Sequence, residues 1–476
     1  MRYEYSYPMR DYQSLFAGKK ITVLGLGLLG RGVGDVEFLA KCGAQILVTD
    51  KKTEKELAES VKKLKPYSNV SFKLGEHDEK DFVSCDLVIK GAKTPMDSPE
   101  IAAARKAGIE VVMSTALFAK YAMDAGATIV GVTGTRGKST VAHMIHHVLI
   151  RANMEYHMPS SLGRNESKLS SRTLASRHKK VVLGGNVRGV STLALLPEVQ
   201  SGDIAVLELD SWQLQGFGDL KISPHISIFT NLMPDHQDYY TNMDEYFADK
   251  ANIFRYQKPT DFIFVGDSIA NQVRKAKPCG QVAVPPPIPV DWKLKIIGEH
   301  NRENAAFAVV ALMALDFSEK EIREGIESFE GVEGRLQFVS EKDGVKIYND
   351  NNSTAPEATI AALRALRGDI TLIVGGSEKD LELDKLVLEI QKSVSRVILL
   401  VHPHYQGSAR LAEVLTKAGV FYESEDSLES AFKNAVENTK SGNILFSPAF
   451  ASFGMFQNEY ERNDQFIALV RKFDIS

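Results

Sequence analysis

Short apolar runs that end in glycine or an acid and then give way to a helical pattern recur from one end of the sequence to the other. Examples are KKITVLGLG, AQILVTD, CDLVIKGA, ATIVGVTG, DIAVLELD, DITLIVGG and GNILFSP. Strand followed by helix, repeated, describes parallel sheets with helices packed on their faces, because parallel neighbours need a crossover connection. The fold class expected is therefore α/β. A chain of 476 residues exceeds what one core holds, and about 150 residues per domain gives about three domains.

Two punctuation points divide the chain. FAKYAMDAG reads as a helix closing at Gly126, before the strand pattern ATIVGVT, and FEGVEGRLQ places two glycines after a charged helix at 319–329. The expected domains are 1–126, 127–330 and 331–476, each a mainly parallel sheet with flanking helices. The proline-rich VAVPPPIPVDW reads as an extended loop before the strand-like KLKIIGEHN, and no fixed-period repeat is present. The polar, serine- and basic-rich segment at about 160–180 reads as a surface loop, with a lid or partner site as the alternative.

Composition narrows the function classes. Hydrophobic residues at 44%, charged residues at 25% and a net charge of -4 suit a globular protein and give no electrostatic case for nucleic-acid binding. Cys42, Cys85 and Cys279 are too few and scattered for a disulfide framework or metal knuckle. The N-terminal stretch lacks the apolar core of a signal peptide, and the longest apolar run, at 305–315, is too short to span a bilayer. The expectation is a cytoplasmic protein without membrane insertion.

Two glycine loops carry chemistry. In GVTGTRGKST a strand runs into Gly131, Gly134 and Gly137, then Lys138, Ser139 and Thr140 open a helix. Inward backbone N–H groups and a helix N-terminus suit a triphosphate, with Lys138 on the β and γ phosphates and Ser139 on Mg²⁺. The first glycine is displaced from the common G-x-x-x-x-G-K-[ST] pattern. The earlier loop, Gly25-x-Gly27-x-x-Gly30, follows a strand and precedes Asp50, Lys51 and Lys52. Three readings stay open for it: a nicotinamide dinucleotide, another nucleotide diphosphate, or helix–strand packing alone.

Glu208 and Asp210 lie two apart at a strand end, on one face, where an acid commonly holds Mg²⁺. Asp235, His236 and Asp238 crowd a turn after another apolar run, a second place for a metal. Lys250, by spacing and composition alone, reads as an ordinary solvated lysine.

The blocks GVTGTRGKST, ELDSWQL, TNLMPDHQDYY, GEHNRENAAFA, GVEGRLQFV, YNDNNSTAPEAT and SPAFASFGMFQNEYERNDQF, in this order, resemble the Mur ligases of peptidoglycan precursor synthesis, above all their D-glutamate-adding branch. The resemblance covers all three domains. It implies a Rossmann-like N-terminal domain for UDP, a P-loop-type central ATPase domain and a Rossmann-like C-terminal domain for the amino acid. The implied activity is ATP-dependent amide ligation, through an acyl phosphate, of D-glutamate to UDP-N-acetylmuramoyl-L-alanine; L-glutamate, a folylpolyglutamate synthase-like ligase and a nicotinamide-dependent oxidoreductase are the alternatives.

The resemblance also implies site residues. For ATP these are Gly134, Thr135, Arg136, Gly137, Lys138, Ser139, Thr140, Asn301, Asn304, Arg335 and Asp350. For the UDP substrate they are Gly27, Leu28, Leu29, Asp50, Lys51, Lys52, Gly91, Asn186 and Gln213. Thr354, Lys379, Ser452 and Phe453 match glutamate contacts. Ser139, Glu208, His236 and Lys250 would serve two Mg²⁺ sites, with Lys250 carbamylated, and Lys138, Lys250, His236 and Glu208 would be the catalytic set. Small-molecule substrates, no nucleic acid and a monomer are implied. The chain departs from the family pattern at Asn352, where a lysine is common, at Glu459 and Tyr460, where an aromatic is displaced, and in the extra residues before Lys180.

Overall fold

The computed structural model describes residues 12–27, 30–92, 94–157, 180–236, 239–378 and 381–475. The polar segment at about 160–180 lies outside them except for Lys180. Three sheets organise the rest.

The first contains β1 (Lys20–Leu24), β2 (Gln45–Asp50), β3 (Val70–Leu74), β4 (Leu87–Lys90) and β5 (Glu110–Val112) in the order β3-β2-β1-β4-β5, every pair parallel. The chain reverses its direction of travel across the sheet between β1 and β4. Ligands of such sheets bind beyond the carboxyl ends of the strands at that switch point, which is where the Gly25–Gly30 loop and Gly91 lie.

The second sheet contains β6 (Thr128–Thr133), β7 (Val181–Gly185), β8 (Ile204–Glu208), β9 (Ile226–Phe229), β10 (Phe262–Val265) and β11 (Gln281–Ala283), ordered β11-β10-β9-β6-β8-β7 and wholly parallel. Because β6 sits between β9 and β8, the phosphate-loop motif emerges flanked by Glu208 on one side and Thr230 on the other.

The third sheet contains β12 (Gln337–Lys342), β13 (Val345–Asn349), β14 (Ile370–Val374), β15 (Arg396–Leu400), β16 (Glu423–Glu425) and β17 (Gly442–Phe446), ordered β12-β13-β17-β14-β15-β16. Its one antiparallel pair, β12 with β13, turns through Asp343 and Gly344 at φ 53° and 81°. Positive φ at both central residues is the two-residue hairpin turn that Asp-Gly favours. Period-2 alternation then fills both faces: Leu372, Val374, Val397 and Leu399 pack on one side, Ile373, Ile398 and Leu400 on the other.

One hydrophobic cluster runs through the first two sheets and includes Phe118 and Phe217, from the helices Ser114–Asp124 and Ser211–Asp219. By compactness the chain forms two units, one holding the first two sheets with residues 304–326, the other Val290–Glu303 with Glu327–Ser476. KLKIIGEHN is a correction to the sequence reading: it forms no strand, and its second half opens the helix Glu299–Ala314. A lone apolar run with no neighbouring edge to pair with gains nothing from extended structure. Among the described residues no helix is long and apolar enough to cross a membrane.

Candidate active site

The phosphate-loop motif joins β6 to the helix Lys138–His157. Gly134 has φ 141°, and a Cβ there would lie 2.0 Å from Thr230 Oγ1, so only glycine is accommodated. Residues after β9 buttress the loop. Thr230 Oγ1 donates to Arg136 O at 2.6 Å, Asn231 O accepts from Thr135 N at 2.9 Å, and Asn231 Oδ1 accepts from Arg136 N at 2.8 Å. Thr230 and Asn231 were not among the expected site residues; their signal was a Thr-Asn pair directly after the apolar strand. Ser139 is buried at the helix start, and Asn304 approaches Gly137 closely enough that a Cβ there would meet its Oδ1 at 2.4 Å.

Two lysines converge on this loop. Lys138 Nζ donates to Gly134 O at 3.0 Å and Thr135 O at 3.1 Å, and Lys250 Nζ donates to the same Gly134 O at 3.0 Å. Lys250, which composition reads as solvated, is 1% exposed, and its ammonium lies 4.7 Å from the Tyr246 ring centroid. Burial first, then the charge of Lys138, push its pKa well below the usual lysine value. A helix-terminal lysine reveals such an environment only once Gly134 is brought against it.

Glu208, 3% exposed, ends β8, and among the described residues nothing donates to its carboxylate. His236, at φ 54°, packs against Trp212 with centroids 4.4 Å apart and the rings tilted by 49°; burial lowers its pKa and favours the neutral imidazole, against the pull of Asp235. Among the described residues no three His, Cys, Asp or Glu side chains stand together as a metal-holding group. Asp210 caps the helix Ser211–Asp219 instead, accepting from Gln213 N at 2.7 Å. Gln213 returns the bond through Oε1 and donates Nε2 to Thr115 Oγ1, so its buried side chain is occupied within the protein. Asp238 lies outside the described residues.

At the first sheet, both Asp50 oxygens are engaged: Oδ2 accepts from Leu26 N and Oδ1 from Lys52 N, each at 2.9 Å. Asp50 thus fixes the glycine loop. Lys51 is exposed and Lys52 half-buried beside it, Gly91 N donates to Leu24 O, and Leu28 and Leu29 lie outside the described residues. Asn186 Oδ1 accepts from Arg31 Nη1 at 2.9 Å, which ties the end of β7 to the helix after the glycine loop.

In the second unit, Asp350 is buried: Leu336 N donates to Oδ1 at 2.9 Å, Ser447 Oγ to Oδ2 at 2.7 Å, and Ser353 Oγ also reaches Oδ2. Burial raises its pKa to about 6. Arg335 is exposed beside Leu336, and Asn301 Nδ2 donates to Ile297 O. Thr354 is half-buried, Ser452 Oγ is buried with no hydrogen-bond partner among the described residues, and Phe453 is 58% exposed. Lys379 lies outside the described residues. Arg462, absent from the expected set, is fully buried and joins these loops, donating Nε to Asn351 Oδ1, Nη2 to Asn351 O and Nη1 to Phe450 O.

Comparison with known proteins follows this geometry domain by domain. The family model "Mur ligase MurD-like, N-terminal domain" matches residues 19–113, "Mur ligase middle domain" residues 132–284, and "Mur ligase, glutamate ligase domain" residues 334–449. A UDP-N-acetylmuramoylalanine–D-glutamate ligase of Roseiflexus sp. is 32% identical, with 96% of this chain and 99% of that one covered. The ligase so named in Borreliella burgdorferi strain ZS7 is 32% identical over 94% of this chain and 96% of its own. Among solved structures, the UDP-N-acetylmuramate-alanine ligase of Thermotoga maritima shares the fold at TM-score 0.58 and 16% identity, covering 96% of this chain and all of that one. The MurF ligase of the same organism, in complex with ADP, gives 0.55 at 14% identity, with 97% and 96% covered. With a phosphate loop, a buried lysine and a strand-end carboxylate assembled in one unit and near-full-length similarity at 32% identity, the chain belongs to the Mur ligase family.

Proposed function

We propose that the chain catalyses ATP-dependent ligation of D-glutamate to UDP-N-acetylmuramoyl-L-alanine. The observation that carries this is the junction of β6, β8 and β9, where the phosphate loop, Lys138 and a buried Glu208 carboxylate with no donor among the described residues adjoin. Curated relatives at 32% identity bear the name of this ligase.

A carboxylate is a poor acyl donor. Transfer of the ATP γ-phosphoryl group to the alanyl carboxylate gives an acyl phosphate; the amine of glutamate then attacks the carbonyl, phosphate leaves, and the amine loses a proton. The loop N–H groups and the helix start at Lys138 hold the transferring phosphoryl group, and Lys138 offsets the charge gathering on it. The donor set fits Mg²⁺, which keeps waters and takes phosphate oxygens, so that Ser139 and Glu208 suffice for one ion. That ion, when bound, would supply charge neutralisation between the β and γ phosphates. His236 fits a second ion as a neutral imidazole, but Lys250 as plain lysine does not. Its neutral amine can add to CO₂, forming an N–C bond and releasing a proton, and the resulting carbamate is an anionic oxygen donor.

ADP release with UDP-N-acetylmuramoyl-L-alanine and D-glutamate tests the proposal. Lys138→Ala and Glu208→Ala should each cut turnover by roughly a hundredfold or more, the scale of one lost electrostatic stabiliser. Near-normal turnover in both variants would remove the site assignment, and no ADP release from the unaltered chain would remove the activity.

A further inference from the structure

Lys90 ends β4 and is 3% exposed. Its Nζ lies 3.0 Å from Thr94 O and 3.4 Å from both Gly91 O and Ala92 O. Three carbonyls match the three donors of an ammonium, which is an unusual use of a buried lysine. The loop they belong to is stitched to β1, since Gly91 N donates to Leu24 O at 2.8 Å, and the adjoining glycine loop is held by Asp50. The two loops at the switch point of the first sheet are thus set from opposite signs: a carboxylate gathers N–H groups, and an ammonium gathers carbonyls.

In a trans peptide the C=O and the following N–H point to opposite sides. Drawing Gly91 O toward Lys90 turns the Ala92 N–H away from it, and among the described residues that N–H has no acceptor. Gly27 N–H, in the facing loop, likewise has none. Free backbone N–H groups on adjacent loops make an anion site.

We propose that Lys90 is a positioning residue for the uridine-diphosphate half of the substrate: its ammonium draws the carbonyls of this loop inward and so presents the loop's N–H side to the diphosphate. The proposal rests on the ligase reading above. Burial pushes Lys90 down to about 8; Asp219, Asp210 and Asp249 hold its charge on, and Arg105 opposes it. Below about 8 the ammonium is present and the loop is set; above it, the charge and one donor are lost. kcat/KM for the UDP substrate therefore falls as pH rises through about 8, while kcat at saturation holds.

The experiment follows that profile in the full chain and, separately, binding of UDP alone by calorimetry at about pH 7 and about pH 9.5. Lys90→Met should raise KM about tenfold at neutral pH with kcat within about twofold, and lose the inflection, the scale of one charge-assisted hydrogen bond. Lys90→Arg, which keeps its charge, should retain neutral-pH binding within about threefold and move the inflection out of range. UDP bound tightly at neutral pH and weakly at high pH, with that difference absent in Lys90→Arg, supports the inference even if no amino acid is ligated, in which case only the ligase reading falls. Turnover with an unchanged KM profile in Lys90→Met overturns the inference and spares the ligase, and no UDP binding by the unaltered chain overturns both.

Discussion

Single residues in this protein are defined by what burial does to their charge. Lys250 is an amine whose pKa burial pushes well below the usual lysine value beside a phosphate loop, so, if it carries the proposed carbamate, Lys250→Ala should be nearly inactive and regain part of its turnover with acetate, a small carboxylate able to stand in for it. Intact-protein mass spectrometry at neutral pH should show the mass of one CO₂ added at Lys250; full activity of the alanine variant would sink the idea. Asp350 is the converse case. Its pKa is raised from 3.8 to about 6, by burial first. The folded chain keeps that proton while the unfolded chain releases it, so stability is highest below the unfolded value and falls as pH rises from about 4 to about 6, by up to about 3 kcal/mol. Urea midpoints at about pH 4 and about pH 7 should drop less in Asp350→Asn than in the unaltered chain. Equal drops would contradict the assignment.

Elements are joined by side chains that no local pattern announces. Arg462 belongs to the helix Glu459–Ile475, yet its guanidinium donates to the loop after β13 through Asn351 and to Phe450 beyond β17, with its carbon 6.0 Å from the Phe446 ring centroid. Burial lowers its pKa to about 10. Arg462→Met would leave the Asn351 and Phe450 acceptors buried without donors, a loss of about 3–5 kcal/mol, and guanidinium unfolding should show a matching shift of the second unit's midpoint. Arg462→Lys should recover part of it. A Met variant as stable as the unaltered chain would show that the network carries no net stability. Asp210 teaches the same lesson: an acid two residues from Glu208 and on its strand face is absorbed by a helix cap, because the chain turns into the helix Ser211–Asp219 at that point.

At the scale of the whole molecule, the open choice is the handedness of the amino acid. D- and L-glutamate carry the same charges, so charge alone does not separate them and the direction of the amine must. D-glutamate should turn over at least about a hundredfold faster than L-glutamate in parallel ADP-release assays, the scale of a hydrogen-bonding site rejecting the wrong geometry. An L-glutamate preference would reverse the stereochemistry and leave the ligase standing. Sequence alone determined the mainly parallel sheets with flanking helices, since strand–helix alternation and glycine turns are local patterns set by backbone geometry; it also marked the phosphate loop, whose glycines and following Lys138 lie within a few residues of one another. The same locality misled it at KLKIIGEHN, where apolar content without a sheet edge gave no strand. What only the tertiary structure decided are the properties that depend on distant neighbours. Lys250 is buried by a loop 116 residues away, and Thr230 and Asn231 meet the phosphate loop because β9 lies beside β6. Charge state follows desolvation, and desolvation is a property of the packed fold rather than of the order of residues along the chain.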